Sequence, residues 1–99
     1  MSKSNLKRKL SHVEDFESPR VELEQYQTPP SLAADIAHSC YMQGHEKVVD
    51  LGTGTGILAI GASLLGLEVT AVEVDSKALD QARKNAEELG AEVEFVESD

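Results

Sequence analysis

Residues 50–56 bring an acid, three glycines and two hydroxyl groups together in seven positions: Asp50, Gly52, Thr53, Gly54, Thr55 and Gly56, with Leu51 between. Glycines at alternate positions let a ligand lie against the main chain, and a helix beginning just behind them turns amide donors toward it. The flanks predict that arrangement. Val48 and Val49 belong to a buried strand that ends on Asp50-Leu51, and the apolar run Ile57-Leu58-Ala59-Ile60 starts a helix. A strand, a tight glycine turn and a helix form the nucleotide-cofactor turn of a Rossmann-type sheet. Its spacing separates two cofactors. A dinucleotide turn reads Gly-x-Gly-x-x-Gly and cradles a pyrophosphate. Here the spacing is Gly-x-Gly-x-Gly, and Asp50 would repel a pyrophosphate. S-adenosylmethionine carries an ammonium and a sulfonium, which a carboxylate attracts. The loop is therefore read as an S-adenosylmethionine loop, with Thr53 inside it and Asp50 holding the amino group of the methionine moiety, directly or through water.

A second acid lies at the expected distance. Glu73 ends the run Val69-Thr70-Ala71-Val72-Glu73, and a Rossmann-type site places an acidic residue about twenty positions past the loop to accept hydrogen bonds from the ribose hydroxyls. Glu73 and its neighbour Val74 are assigned to the cofactor, whereas Asp75, ahead of Ser76-Lys77, suits a helix cap. Asp99, after the run 92–97, faces the same sheet edge and is a candidate for the adenine amino group. The histidines His12, His38 and His45 lack metal-ligand spacing, so no metal site is expected.

The elements that must hold these residues follow from the same periodicities. Leu6, Leu10 and Val13 have helical spacing and predict a short amphipathic helix within 4–15. Pro19, Pro29 and Pro30 frame an irregular stretch. A helix over 31–42, capped by Ser31 or Thr28, should bury Leu32, Ala33, Ile36, Ala37, Cys40 and Tyr41 and stop at Gly44. Strands at 47–51, 68–74 and 92–97 then alternate with helices at 56–65 and 76–89. Alternation of this length predicts parallel strands joined by right-handed crossovers, in spatial order 3-2-1. The fold class is α/β: a Rossmann-like βαβαβ unit preceded by helices. Residues 1–46 form the N-terminal helices with a cofactor-covering loop, and residues 47–99 form the cofactor-binding unit. A fourth strand beside the first is missing from the pattern, so the chain is expected to be the N-terminal half of a sheet.

Charge bounds the partners. Residues 1–15 carry four basic and two acidic side chains, net +2, while residues 16–99 carry five basic and sixteen acidic, net −11. An acidic body does not attract nucleic acid, because phosphate contacts need Lys and Arg. An RNA partner would have to meet Lys3, Lys7, Arg8 and Lys9, or positive charge supplied from elsewhere. No apolar run approaches the roughly 20 residues of a membrane span, and no membrane partner is expected. One cysteine, Cys40, in an apolar stripe, fits packing in a reducing, cytoplasmic setting.

The loop with Asp50 and Glu73 resembles motifs of the class I S-adenosylmethionine-dependent methyltransferases. More narrowly, Leu23-Glu24-Gln25-Tyr26-Gln27-Thr28-Pro29 followed by Val49-Asp50-Leu51-Gly52-Thr53-Gly54-Thr55-Gly56 is similar to the RNA N6-adenosine methyltransferases of the methyltransferase-like protein 5 type, from about Leu6 onward. The resemblance implies that Gln25, Tyr26 and Thr28 fold over the cofactor. It also implies an RNA substrate, and a methyl group passing to N6 of an adenosine in structured, ribosomal RNA. These enzymes carry Asn-Pro-Pro-Phe to clamp the flipped adenine, and this sequence has no such tetrapeptide. No catalytic residue is therefore assigned. The chain alone is expected to be inactive, and to need a complementing C-terminal half or a small activator protein. Alternative readings are a non-catalytic cofactor-binding fragment, a DNA-adenine or protein-glutamine methyltransferase, and, disfavoured by Asp50, a nicotinamide oxidoreductase.

Overall fold

The computed structural model describes residues 1–14 and 27–98. Seven elements follow in chain order: α1 (Lys3–Leu10), α2 (Pro30–Met42), β1 (Lys47–Leu51), α3 (Ile57–Leu64), β2 (Glu68–Glu73), α4 (Ser76–Leu89) and β3 (Val93–Glu97). The strands form one parallel sheet in the order β1-β2-β3, the 3-2-1 order that the alternation predicts, with β2 central and paired to both neighbours. Asp50 stands opposite Ala71, and Glu73 opposite Glu97. Residues opposite one another share a sheet face. Val48, Val69, Ala71, Val93 and Phe95 therefore turn together onto the helical layer, where they pack with Ala59, Ala62, Leu67 and Cys40. Val49 and Leu51, one step along β1, turn the other way and are 63% and 76% exposed.

A second core lies among the helices. Leu6 and Leu10 of α1, fully buried, meet Ala33, Ala34 and Ala37 of α2 and Ile57 and Ile60 of α3. Small residues on α2 let the helix backbones approach closely. That choice overturns one sequence expectation. Ala33 and Ala37 are buried as expected, joined by Ala34, but Leu32, Ile36 and Tyr41 are 48%, 41% and 51% exposed. Hydrophobicity added the larger side chains to the stripe, whereas the tight crossing with α1 and α3 selects the small ones. Cys40 is half-buried against the sheet-side core, as a packing residue should be.

Two further details differ from expectation. Neither Ser31 nor Thr28 caps α2: Pro29 occupies the cap, its carbonyl accepting from the Ala33 amide at 2.9 Å, and Pro30 opens the first turn. Helix α1 ends at Leu10, so Val13 reaches the core from the turn beyond it. α4 follows its sequence signals closely. Asp75 caps it by accepting from the Lys77 amide at 3.0 Å, and Gly90 ends it in the left-handed conformation. Of the irregular stretch framed by Pro19, Pro29 and Pro30, residues 19–26 lie outside the described residues.

Candidate functional site

The site forms at the carboxyl ends of β1 and β2, where the chain leaves the sheet twice within a few ångströms. Leaving β1, the chain bends through Gly52, Gly54 and Gly56, all at positive φ (70°, 58° and 88°). Only glycine adopts three such conformations at low cost. The loop is tied to β2 by main-chain bonds: the amides of Gly52 and Thr53 both donate to the Val72 carbonyl, at 2.8 and 3.0 Å. Gly56 then closes onto the Thr53 carbonyl at 2.9 Å and starts α3. A Cβ on Gly56 would lie 3.1 Å from the Ala82 Cβ, so this glycine lets α3 and α4 meet. A Cβ on Gly52 would meet nothing within 4 Å. The outer side of the loop is open.

Both acids are fixed by this loop. Glu73 is buried, and its carboxylate accepts three amide bonds: from Gly54 at 2.7 Å on Oε1, and from Val74 and Asp75 at 3.0 Å each on Oε2. Asp50 Oδ2 accepts from the buried Thr53 hydroxyl at 2.7 Å. Burial pushes the Asp50 carboxyl above its usual range. The Thr53 bond pulls it back, the Glu73 charge pushes it up further, and the Ala59 amide in the first turn of α3 pulls it down. Burial and the neighbouring Glu73 charge thus outweigh what Thr53 and Ala59 return to the charged form. A cation brought to it supplies what the protein does not.

The amides of Gly52, Thr53, Gly54 and Gly56 are thus engaged by protein acceptors rather than arrayed around an empty cradle. That pattern does not suit a pyrophosphate. It suits a ligand with positive charge near Asp50 and hydroxyl donors near Glu73, lying against the open side of Gly52, and the residues present fit S-adenosylmethionine in those respects.

The structure brings Asp50, Gly52, Thr53, Gly54, Gly56, Glu73 and Val74 to one edge; Val74 contributes its amide, while its side chain is exposed. Thr28 lies half-buried just ahead of α2. Gln25, Tyr26 and Asp99 lie outside the described residues. Sequence reasoning missed Asn85, which is 1% exposed. Its signal was available: a polar residue on the apolar face of α4, in register with Ala78, Ala82 and Ala86.

Residues 31–98 match the profile of the ribosomal protein L11 methyltransferase family. A Drosophila melanogaster protein named rRNA N(6)-adenosine-methyltransferase Mettl5 is 43% identical over 86 residues, covering 81% of this chain and 40% of that protein. A ribosomal protein L11 methyltransferase from Dictyoglomus turgidum is 47% identical over 60 residues, 60% of this chain and 20% of its own length. The crystal structure of a candidate RNA methyltransferase from Pyrococcus horikoshii superposes with a TM-score of 0.89 at 39% identity, over 100% of this chain and 52% of that one. The chain spans about two fifths of the Drosophila relative and about half of the archaeal structure.

Proposed function

This chain belongs to the class I S-adenosylmethionine-dependent methyltransferases, and from that premise we propose that its Asp50–Glu73 edge binds S-adenosylmethionine and serves methylation of N6 of an adenosine in ribosomal RNA. The observation that carries the reading is the pair of acids at adjoining strand ends, each hydrogen-bonded to the glycine loop between them. When bound, the cofactor supplies an electrophilic methyl group on a positively charged sulfur. Asp50 holds the ammonium of the methionine moiety, and Thr53 fixes the carboxylate rotamer for that contact. Glu73 orients the ribose by accepting from its hydroxyls, while its bonds to Gly54, Val74 and Asp75 keep it rigid. Catalysis from such a site is mostly positioning of reactants. By resemblance Gln25, Tyr26, Thr28 and Asp99 complete the cofactor contacts.

The choice of RNA rests on the Drosophila relative's name, and the aromatic adenine clamp is assigned to length that the relatives have beyond the region matched here. Positive surface for RNA is concentrated on α1, where Lys7, Arg8 and Lys9 are exposed, while Lys3 pairs with Asp35 of α2 at 3.2 Å. Calorimetric titration tests the cofactor first: S-adenosylhomocysteine should bind and NAD should not. Methyl transfer to ribosomal RNA, with and without a complementing C-terminal segment, then tests the substrate. Binding of NAD in place of S-adenosylhomocysteine would overturn the proposal, and methylation of protein glutamine or DNA adenine instead of RNA would overturn its substrate.

A further inference from the structure

Asn85 is a buried amide with every hydrogen-bonding position used. Oδ1 accepts from the Glu14 amide at 3.1 Å and from Gln81 Nε2 at 3.0 Å. Nδ2 donates to the Glu14 carbonyl and to the Thr55 carbonyl, both at 3.0 Å. The partners fix which end is oxygen, since one side faces donors and the other faces carbonyls. Gln81, one turn earlier on α4, also donates to the Glu14 carboxylate at 3.2 Å. One side chain therefore joins three places far apart in sequence: the segment leaving α1, helix α4, and the glycine loop at Thr55. Thr55 is itself 2% exposed and lies between Gly54, whose amide holds Glu73, and Gly56, which starts α3.

We propose that Asn85 is a positioning residue for the cofactor loop, coupling the docking of residues 13–14 to cofactor binding without touching the cofactor. The inference rests on the reading of the loop as the S-adenosylmethionine site. Its physical basis is the number of groups one amide satisfies. Without Asn85, the Thr55 carbonyl and both backbone groups of Glu14 lose buried partners, and the loop between the two acids loses its tie to α4. Coupling is reciprocal, so a ligand that fixes the loop must also tighten the hold on Glu14.

The test is titration of the 99-residue chain with S-adenosylhomocysteine, together with hydrogen exchange at the Glu14 amide, which donates to Asn85. Asn85→Ala should bind about tenfold more weakly, the loss of roughly one buried hydrogen bond's worth of affinity, at a temperature where circular dichroism shows it folded. Ligand should slow Glu14 exchange in the wild-type chain and not in the variant. Asn85→Asp keeps the shape and Oδ1 but loses both donors. Its affinity relative to wild type should recover as pH falls, because the protonated carboxyl regains one donor, and Asn85→Ala should show no such recovery. This second variant carries the test if Asn85→Ala does not fold. A folded variant with wild-type affinity and no ligand effect on Glu14 exchange would overturn the inference while leaving the cofactor reading intact. Failure of the wild-type chain to bind S-adenosylhomocysteine would overturn both.

Discussion

Glu73 Oε1 and the amide of Gly54 lie 2.7 Å apart, so the acid at the end of β2 holds the loop that leaves β1. Under the proposed cofactor contact one carboxylate would have two duties, shaping the loop and accepting from the ribose. Glu73→Ala should lower affinity for S-adenosylhomocysteine at least tenfold. It should also destabilise the chain by on the order of 2 kcal/mol, because the amides of Gly54, Val74 and Asp75 lose their acceptor. Asp75→Ala removes a helix cap and should cost about 1 kcal/mol with affinity nearly unchanged. Calorimetric and denaturant titrations of both variants check the ranking, and the reverse order would move the ribose contact to Asp75.

Asp50 should show a conflict between stability and binding. Its folded-state pKa is raised above 3.8, chiefly by burial. Stability from that difference is fully present below the unfolded value and lost as pH rises through the folded value, so the ionised group weakens the fold at neutral pH. Asp50→Asn keeps an oxygen for the Thr53 hydroxyl and removes the charge. Its melting temperature at pH 7 should exceed that of the wild type, while affinity for S-adenosylhomocysteine falls at least tenfold. Wild-type affinity should also decline as pH drops through the folded pKa. A variant that binds as well as the wild type would remove Asp50 from the site.

Much of this was legible in the sequence because the governing forces are local. Strand β1, helix α4 with its Asp75 cap and Gly90 stop, and the turn through Gly52, Gly54 and Gly56 each follow from residues within one element. The orientation of α2 was only partly legible: Ala33 and Ala37 are buried as expected, but the crossing with α1 and α3 brings in Ala34 and leaves Leu32, Ile36 and Tyr41 exposed. Nor was the bond between Glu73 and Gly54. Spacing placed both near one edge, but only the parallel pairing of β1 with β2 makes a loop amide the partner of the acid. Asn85 stood out as a polar residue on an apolar face, but its partners were not legible, because Glu14 and Thr55 are 71 and 30 residues away.

Glycines with the same backbone handedness should differ in cost. Gly56 and Gly66 both have positive φ, at 88° and 94°, but a Cβ on Gly66 meets nothing within 4 Å whereas one on Gly56 meets Ala82 at 3.1 Å. Gly66→Ala should cost about 1 kcal/mol from backbone strain alone. Gly56→Ala adds a clash between α3 and α4 and should cost on the order of 2–3 kcal/mol. Urea midpoints compare them directly, and equal costs would mean that α4 shifts freely away from the loop.

Among the described residues, β1 pairs with β2 alone, and a strand edge left in that state presents main-chain donors and acceptors that can template another strand. Val49 and Leu51 turn their exposed side chains to the sheet face away from the helices. On α2, Leu32, Ile36, Tyr41 and Met42 are also exposed, which is much apolar surface for so short a chain. Parallel sheets are normally covered on both faces, because strands joined through helices bury both. The polypeptide of residues 1–99 should therefore self-associate with rising concentration. Leu51→Lys should shift it toward monomer by placing a charge on that face without touching the helix-side core. Adding a segment that supplies the neighbouring strand, from the length that the relatives have in addition, should also dissolve the association and strengthen binding of S-adenosylhomocysteine, since Asp50 sits on the strand being steadied. Sedimentation velocity across a hundredfold concentration range reads this out. A monomer throughout, with one sharp cooperative unfolding transition, would show that the α1–α4 layer and three strands hold this edge closed by themselves.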